Sequence, residues 1–174
     1  GGCDLYYSEK QGDTWSTVKN LGSRINSGSW DAQPSISPDG RTLYFASKRI
    51  GGLGSSDIWK SERLFSGEWG KPVNLGAPVN TTDAEMAPFI HYDNTTLFFS
   101  SNGHPGLGGA DLFRSVQKSG TWTQPENLGF PVNTSADELI VIINPEGNMG
   151  FISSNSLKGE GGYDIFVFEL YDAI

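Results

Sequence analysis

The sequence predicts an all-β chain whose repeats form the four-stranded antiparallel blades of a β-propeller. Three observations carry this expectation. Landmark residues recur every 53 or 54 positions. Each period holds four short strand-like runs separated by turn chemistry. No stretch keeps the 3.6-residue apolar spacing of an amphipathic helix for a useful length.

The period is read from several independent residues. Asp4, Asp57, Asp111 and Asp164 stand 53, 54 and 53 residues apart, and each opens an aromatic-aliphatic run such as Asp57-Ile58-Trp59. Trp15, Trp69 and Trp122 keep the same beat, as do the triplets Asn20-Leu21-Gly22, Asn74-Leu75-Gly76 and Asn127-Leu128-Gly129. Asn26, Asn80 and Asn133 follow it too. A parallel β-helix needs much shorter rungs, and an immunoglobulin-like sandwich does not repeat internally.

Within one period the elements follow in order. Strand a runs through Pro34-Ser35-Ile36, Pro88-Phe89-Ile90 and Val141-Ile142-Ile143 into the turns Pro38-Asp39-Gly40, Tyr92-Asp93-Asn94 and Pro145-Glu146-Gly147. Proline presets φ, and Gly or Asn accepts the positive φ that closes a hairpin. Strand b returns through Leu43-Tyr44-Phe45, Leu97-Phe98-Phe99 and Gly150-Phe151-Ile152. A Gly-rich loop leads to strand c at the repeated Asp. Strand d carries the Trp and ends at Asn-Leu-Gly. Strand c occurs four times, strands a and d three times each. One domain, 1–174, therefore divides into segments 1–29 (partial), 30–82, 83–135 and 136–174 (partial): about three full blades plus partial ones. We read this as part of a larger ring; the alternative is a closed four-bladed ring. An open arc leaves strand edges uncovered.

Composition narrows the function. Twelve basic against twenty acidic residues give a net charge of −8, which disfavours nucleic-acid binding and polybasic membrane-surface binding. No apolar run approaches the ~20 residues of a helical membrane span, so no direct membrane insertion is expected. A single cysteine excludes a disulfide framework within the chain. No signal peptide is read, so composition gives no compartment.

Candidate chemistry is sparse. Asp4, Asp57, Asp111 and Asp164 invite a catalytic or metal reading, but one copy per blade points to a scaffold role, with the carboxylate fixing the Gly-rich turn. Asp31, Glu85 and Glu138 recur at the entry to strand a, where a ring of carboxylates would suit Ca²⁺; loop-fixing hydrogen bonds are the competing reading. His91 and His104 lack metal-ligand spacing, and no nucleophile elbow or phosphate loop is present. No catalytic residue and no cofactor are expected. Cys3 stands where other blades have Ser56, Ala110 and Tyr163 and is expected to be a packed thiol. Trp15, Trp69 and Trp122 are expected to pack between blades. The loops 49–56, 102–109 and 155–162 differ most between blades, and Arg49, Asn102, His104 and Asn155 in them are the candidate binding residues.

The signature Gly-Gly-x-Asp-Leu/Ile-aromatic stands at Gly1-Gly2-Cys3-Asp4-Leu5-Tyr6, Gly108-Gly109-Ala110-Asp111-Leu112-Phe113 and Gly161-Gly162-Tyr163-Asp164-Ile165-Phe166. With Trp69-Gly70-Lys71-Pro72-Val73-Asn74-Leu75-Gly76 and Pro78-Val79-Asn80-Thr81, it resembles the WD40-like β-propeller repeats of OmpA-family proteins in the envelope of certain Gram-negative bacteria. The second blade departs from it with Gly54-Ser55-Ser56-Asp57. The end, 168–172, resembles an exit from the propeller toward a next domain. The resemblance implies a non-enzymatic scaffold in the periplasm, associated with the outer membrane. Its partners would be envelope proteins, and peptidoglycan through neighbouring domains; some family members belong to the type IX secretion apparatus. The alternative is a carbohydrate- or peptidoglycan-recognition module.

Overall fold

A computed structural model describes residues 2–156 and 159–170. Gly1 of the first signature, residues 157 and 158 of the third loop, and Tyr171 and Asp172 of the expected exit lie outside the described residues.

Every regular element of the described residues is a strand. The first sheet pairs β1 (Tyr6–Tyr7) with β4 (Lys19–Asn20), and a hairpin of β2 (Lys10–Gln11) and β3 (Thr14–Trp15) lies between them in the chain. The second lays β5 (Asp31–Ile36), β6 (Thr42–Ser47), β7 (Asp57–Glu62) and β8 (Val73–Asn74) side by side in chain order. The third repeats this with β9 (Glu85–Ile90), β10 (Thr96–Ser101) and β11 (Asp111–Lys118), joined by β12 (Thr121–Trp122) and β13 (Glu126–Asn127). The fourth holds β14 (Glu138–Ile143), β15 (Met149–Ser154) and β16 (Asp164–Glu169). All these pairs are antiparallel.

The turns form as their residues dictate. The amides of Gly40, Asn94 and Gly147 donate to the carbonyls of Ser37, His91 and Asn144 at 2.8, 3.0 and 3.0 Å. All three residues have positive φ, at 69°, 61° and 72°. Strand d differs from the expected single run. In the third blade the Trp belongs to β12, which folds back on the end of β11, while Asn127 ends β13, which pairs with its beginning. Pro125 falls between them, and Pro72 precedes β8, where a missing N–H interrupts a ladder.

Side chains from neighbouring sheets interdigitate into three cores. Leu5 and Ile25 of the first blade pack with Leu43, Phe45 and Trp59 of the second. Tyr44 and Ile58 pack with Ile90, Leu97, Phe99 and Phe113 of the third. Phe98 and Leu112 pack with Val141, Ile143 and Ile152 of the fourth. Among the described residues these cores join successive sheets and none joins the fourth to the first, so the blades follow one another as an arc. Inner strands are also tied directly, Ala87 N–H donating to Gln33 Oε1 at 3.0 Å and Ile90 N–H to Ser35 Oγ at 3.1 Å.

Tyr44 gives this packing a pH signature. Its ring meets Trp122 edge-on at 6.3 Å. Burial, with the Glu62 and Asp39 charges beside it, pushes its phenol up to about 12 from 10.0. A raised pKa favours the fold fully below pH 10 and loses that contribution as pH rises through 12. Unfolding free energy is therefore expected to fall by about 2 kcal/mol between pH 10 and 12 through this group. Urea titrations of Tyr44→Phe should lack that part of the alkaline decline; an unchanged decline would place its origin elsewhere.

Candidate functional site

The repeated carboxylates and the candidate binding residues lie at one end of the blades, where Gly-rich loops enter strand c. In the second, third and fourth blades the repeated Asp holds its loop. Leu53 N–H donates to Asp57 Oδ2 at 2.8 Å, Glu160 N–H to Asp164 Oδ2 at 2.9 Å, and Leu107 N–H to Asp111 Oδ2. Gly52, Gly106 and Gly159 lie so close to these carboxylates that any Cβ would overlap Oδ2. In the first blade Asp4 Oδ2 accepts from Asn20 Nδ2 at 2.9 Å.

A second layer links each loop to the next blade. Ser55 N–H donates to Asp83 O at 2.7 Å, and Gly109 N–H to Ala136 O at 3.2 Å. Gly54 and Gly108 face the backbone of residues 81–83 and 134–136 with no room for a side chain. The loops are thus clamped on both sides, and their exposed side chains project from a fixed backbone.

Asp31, Glu85 and Glu138 are fully buried, and each ties the end of the preceding repeat segment to strand b of its own. Glu85 accepts from Thr81 N–H, Thr81 Oγ1 and Ser101 Oγ at 2.8, 2.7 and 2.7 Å. Glu138 repeats this with Thr134 and Ser154. Asp31 uses Ser27 and Ser47, and its shorter side chain leaves room for Arg49 Nη2 at 2.5 Å. Burial alone would raise the Asp31 carboxyl, but the bonds from Ser47, Ser27 and Arg49 outweigh it and hold the group below its usual range. The structure does not bring the three carboxylates together, and among the described residues no cluster of His, Cys, Asp and Glu is arranged to hold a metal.

The candidate binding residues are largely engaged in the scaffold. Arg49 donates to Ile25 O at 2.7 Å and stacks over Phe45 and Trp59, with its Cζ 4.8 and 5.2 Å from the ring centroids. His104 does the same one blade on: its Nε2 meets Val79 O at 2.9 Å, and its ring lies 5.1 Å from Phe113 and 5.9 Å from Phe99. Asn155 exchanges two bonds with Asp137, one through its Oδ1 at 2.7 Å and one through its Nδ2 at 3.1 Å. Asn102 alone presents an exposed side chain, its N–H being held by Ala84 O. His91, at the opposite turn, bridges blades through Nε2 to Asn144 O at 3.1 Å.

Two packing expectations fail at the first blade. Cys3 is exposed, not packed, whereas Ser56 and Ala110 at the same repeat position are buried. Trp15 is mostly exposed, in a hairpin whose residues all face solvent; Trp122 is buried and Trp69 is partly covered against the first interblade core.

The sequence reading assigned no role to Asn26, Asn80 and Asn133, which prove to make three side-chain hydrogen bonds each. Each is buried and closes strand c onto the Asn-Leu-Gly corner. Asn80 Oδ1 accepts from Ile58 N–H at 2.9 Å, and its Nδ2 donates to Ile58 O at 2.9 Å and Asn74 Oδ1 at 2.8 Å. Asn26 and Asn133 repeat all three bonds on Leu5 and Leu112.

These interlocked repeats define a β-propeller. Solved structures agree on the fold. The chain is similar to TolB from Acinetobacter baumannii, with 13% identity and a TM-score of 0.59 over 98% of this chain and 39% of that one. It is similar to a putative TolB from Agrobacterium tumefaciens, with 15% identity and a TM-score of 0.57 over 95% of this chain and 61% of that one. The periplasmic gluconolactonase PpgL of Pseudomonas aeruginosa aligns with 19% identity and a TM-score of 0.50, over 88% and 43%. The chain thus spans less than two thirds of the length of each. No protein-family model and no curated protein matches it significantly.

Proposed function

We propose that this chain is a non-enzymatic interaction scaffold of the bacterial cell envelope. It docks partner proteins on the face that carries its Gly-rich loops. The observation behind this reading is the display of apolar side chains from a clamped backbone. Ile50 is 99% exposed, and Leu53 and Leu107 at equivalent positions of neighbouring blades are half exposed, yet the Asp anchors and interblade bonds hold the loops beneath them. Apolar residues fixed at a protein surface bind with little ordering cost. The repeat signature extends the reading to an OmpA-like, peptidoglycan-associated protein at the periplasmic side of the outer membrane, of the kind found in type IX secretion assemblies. The likeness in fold to TolB and to a periplasmic enzyme is compatible with that location.

The test is affinity capture of the tagged protein from gently cross-linked envelopes, read by mass spectrometry. Defined envelope proteins should be recovered, and the combined variant Ile50→Ser, Leu53→Ser, Leu107→Ser should lose them while melting as the parent does. Retention on purified peptidoglycan or glycans, with no protein recovered, would replace this reading by the recognition-module alternative.

A further inference from the structure

Docking on the Gly-rich loops leaves an apolar hairpin tip at the other end of the blades unexplained. β7 starts beside a loop, at Asp57, and ends at Glu62. Residues 63–69 then fold back as a hairpin through the Arg63–Trp69 bridge. Leu64 N–H donates to Glu68 O at 2.8 Å and Gly67 N–H to Leu64 O at 2.9 Å, with Gly67 at a φ of 85°. The turn is thus fixed. It holds out Phe65, which is fully exposed, and Leu64, which is 47% exposed.

Among the described hairpins that follow strand c, only this one has an apolar tip. The first blade places Lys10-Gln11-Gly12-Asp13 at the same point, and the third places Lys118-Ser119-Gly120 there. Both of those tips are exposed and polar. The third stays exposed beside a complete second blade, so exposure belongs to the position in the repeat. The apolar side chains belong to the second blade's own sequence. Neither Leu64 nor Phe65 joins any of the three cores. Adjacent apolar side chains that support no packing mark a contact surface.

Size and charge identify what covers it. A stable protein interface buries about 800 Å² on each partner, far more than two side chains on one turn supply. A lipid headgroup layer accepts a convex tip without a matching pocket, with aromatic and basic residues at its boundary. That boundary is present at the hairpin's base. The Arg63 guanidinium lies 5.4 Å over the Trp69 ring, and its Nε donates to Gly67 O at 3.1 Å. Arg63 N–H donates to Arg41 O at 2.7 Å, and Arg24 Nη1 reaches Trp69 O at 3.5 Å. The carboxylates beside these arginines are already bonded: Glu68 to Arg24 at 3.5 Å, Glu62 to Lys60 at 2.7 Å, and Asp39 to Ser37 Oγ and Arg41 N–H. This corner is therefore close to neutral in a chain of net charge −8, and its paired charges suit a zwitterionic surface.

We propose that the 63–69 hairpin is a peripheral membrane contact. Leu64 and Phe65 enter the headgroup layer of a zwitterionic phospholipid surface, and Arg63 and Trp69 lie at its boundary. Apolar burial provides the affinity, and no net basic charge is needed. The Gly-rich loops, at the other end of the blades, then point away from the bilayer. The hairpin and the loops share no residue, so neither reading depends on the other.

The test is co-sedimentation of the full chain with phosphatidylcholine vesicles. Half of the protein should be bound at about 1–5 mM accessible lipid, a weaker grip than the ~0.1 mM of a single acyl chain. Binding should persist at about 1 M salt, where charges are screened within about 3 Å. The double variant Leu64→Ser, Phe65→Ser should weaken binding about tenfold or more. It should melt as the parent does, because neither side chain belongs to a core. Phe65→Trp should bind at least as tightly as the parent, since Trp favours the membrane interface. The triple loop variant should bind vesicles undiminished, and the hairpin variant should still capture envelope proteins, which separates failure here from failure of the loop-face reading. Absence of parent binding at about 10 mM lipid, or equal binding by the hairpin variant, would overturn the proposal. So would loss of captured envelope proteins in the hairpin variant, which would make a protein pocket the occupant. Self-association of the parent that the hairpin variant lacks would make the occupant a second copy and overturn it as well.

Discussion

Asn80→Ala is expected to cost about 3–5 kcal/mol of unfolding free energy, read as a lowered urea midpoint with an unchanged slope. The truncation removes three hydrogen bonds at once. It also strands the N–H of Ile58, a residue with no exposure to solvent, so water cannot replace the lost partner; the Ile58 C=O keeps the Leu75 N–H at 3.1 Å. Each buried group left unsatisfied costs about 1–3 kcal/mol, which outweighs the ~1 kcal/mol net value of an ordinary bond. Asn80→Asp should fare no better, since it keeps the acceptor for Ile58 N–H but turns a carboxylate toward Ile58 O. Asn26→Ala makes the internal comparison. It removes two bonds on Leu5 and one on Asn20, in a sheet of two-residue strands. Leu5 is itself buried, so the freed groups are again shielded from water and a cost of similar size is expected. A much smaller cost at Asn26 would mean that water enters the first blade once the side chain is removed.

The Asn residues show what a repeat reveals in sequence and what it hides. Their spacing marked them as members of the period, yet spacing carries no direction, and only the fold shows that each reaches back 21 or 22 residues to strand c. The Asp at strand c was legible in role as well, because a carboxylate following glycines has few uses other than binding their amides. Arg49 and His104 were not. They are different residue types, 55 positions apart on a repeat of 54, and they become equivalent only when the carbonyls they cap, Ile25 and Val79, are superposed. Trp15 and Cys3 misled for the opposite reason. The repeat position was read correctly, but packing depends on the neighbouring strands, and among the described residues the first sheet contains only β1 and β4. The division of strand d was missed, although Pro72 and Pro125 carry its signal, because proline cannot donate to a ladder.

Glu85→Ala is the second large effect, expected at about 3–4 kcal/mol, and it also decides between the two readings of the acidic positions. Three donors converge on this carboxylate at 2.7–2.8 Å, and bonds to an ionised acceptor are each worth about 1.5–3 kcal/mol. The backbone of Glu85 already joins the blades through its N–H to Ser56 O at 2.8 Å, so the side chain's loss frees the turn at Thr81 on the far side of the same residue. Glu85→Gln preserves shape and one acceptor oxygen and is expected to cost about 1–2 kcal/mol, because the amide nitrogen cannot accept from Thr81 N–H or from a hydroxyl. A Ca²⁺ site would behave differently. Binding to the folded state alone would raise the melting temperature with added Ca²⁺ and lower it with chelator, and Glu85→Gln would abolish both responses. Here both oxygens of each carboxylate are already occupied by backbone and side-chain donors, and a cation would have to displace them. Calorimetric melting at millimolar Ca²⁺ and again with chelator is therefore expected to superimpose for the parent, with the Gln and Ala variants displaced from it equally in both conditions. A calcium-dependent shift in the parent that vanishes in Glu85→Gln would instead make these residues ligands and the hydrogen bonds their resting state.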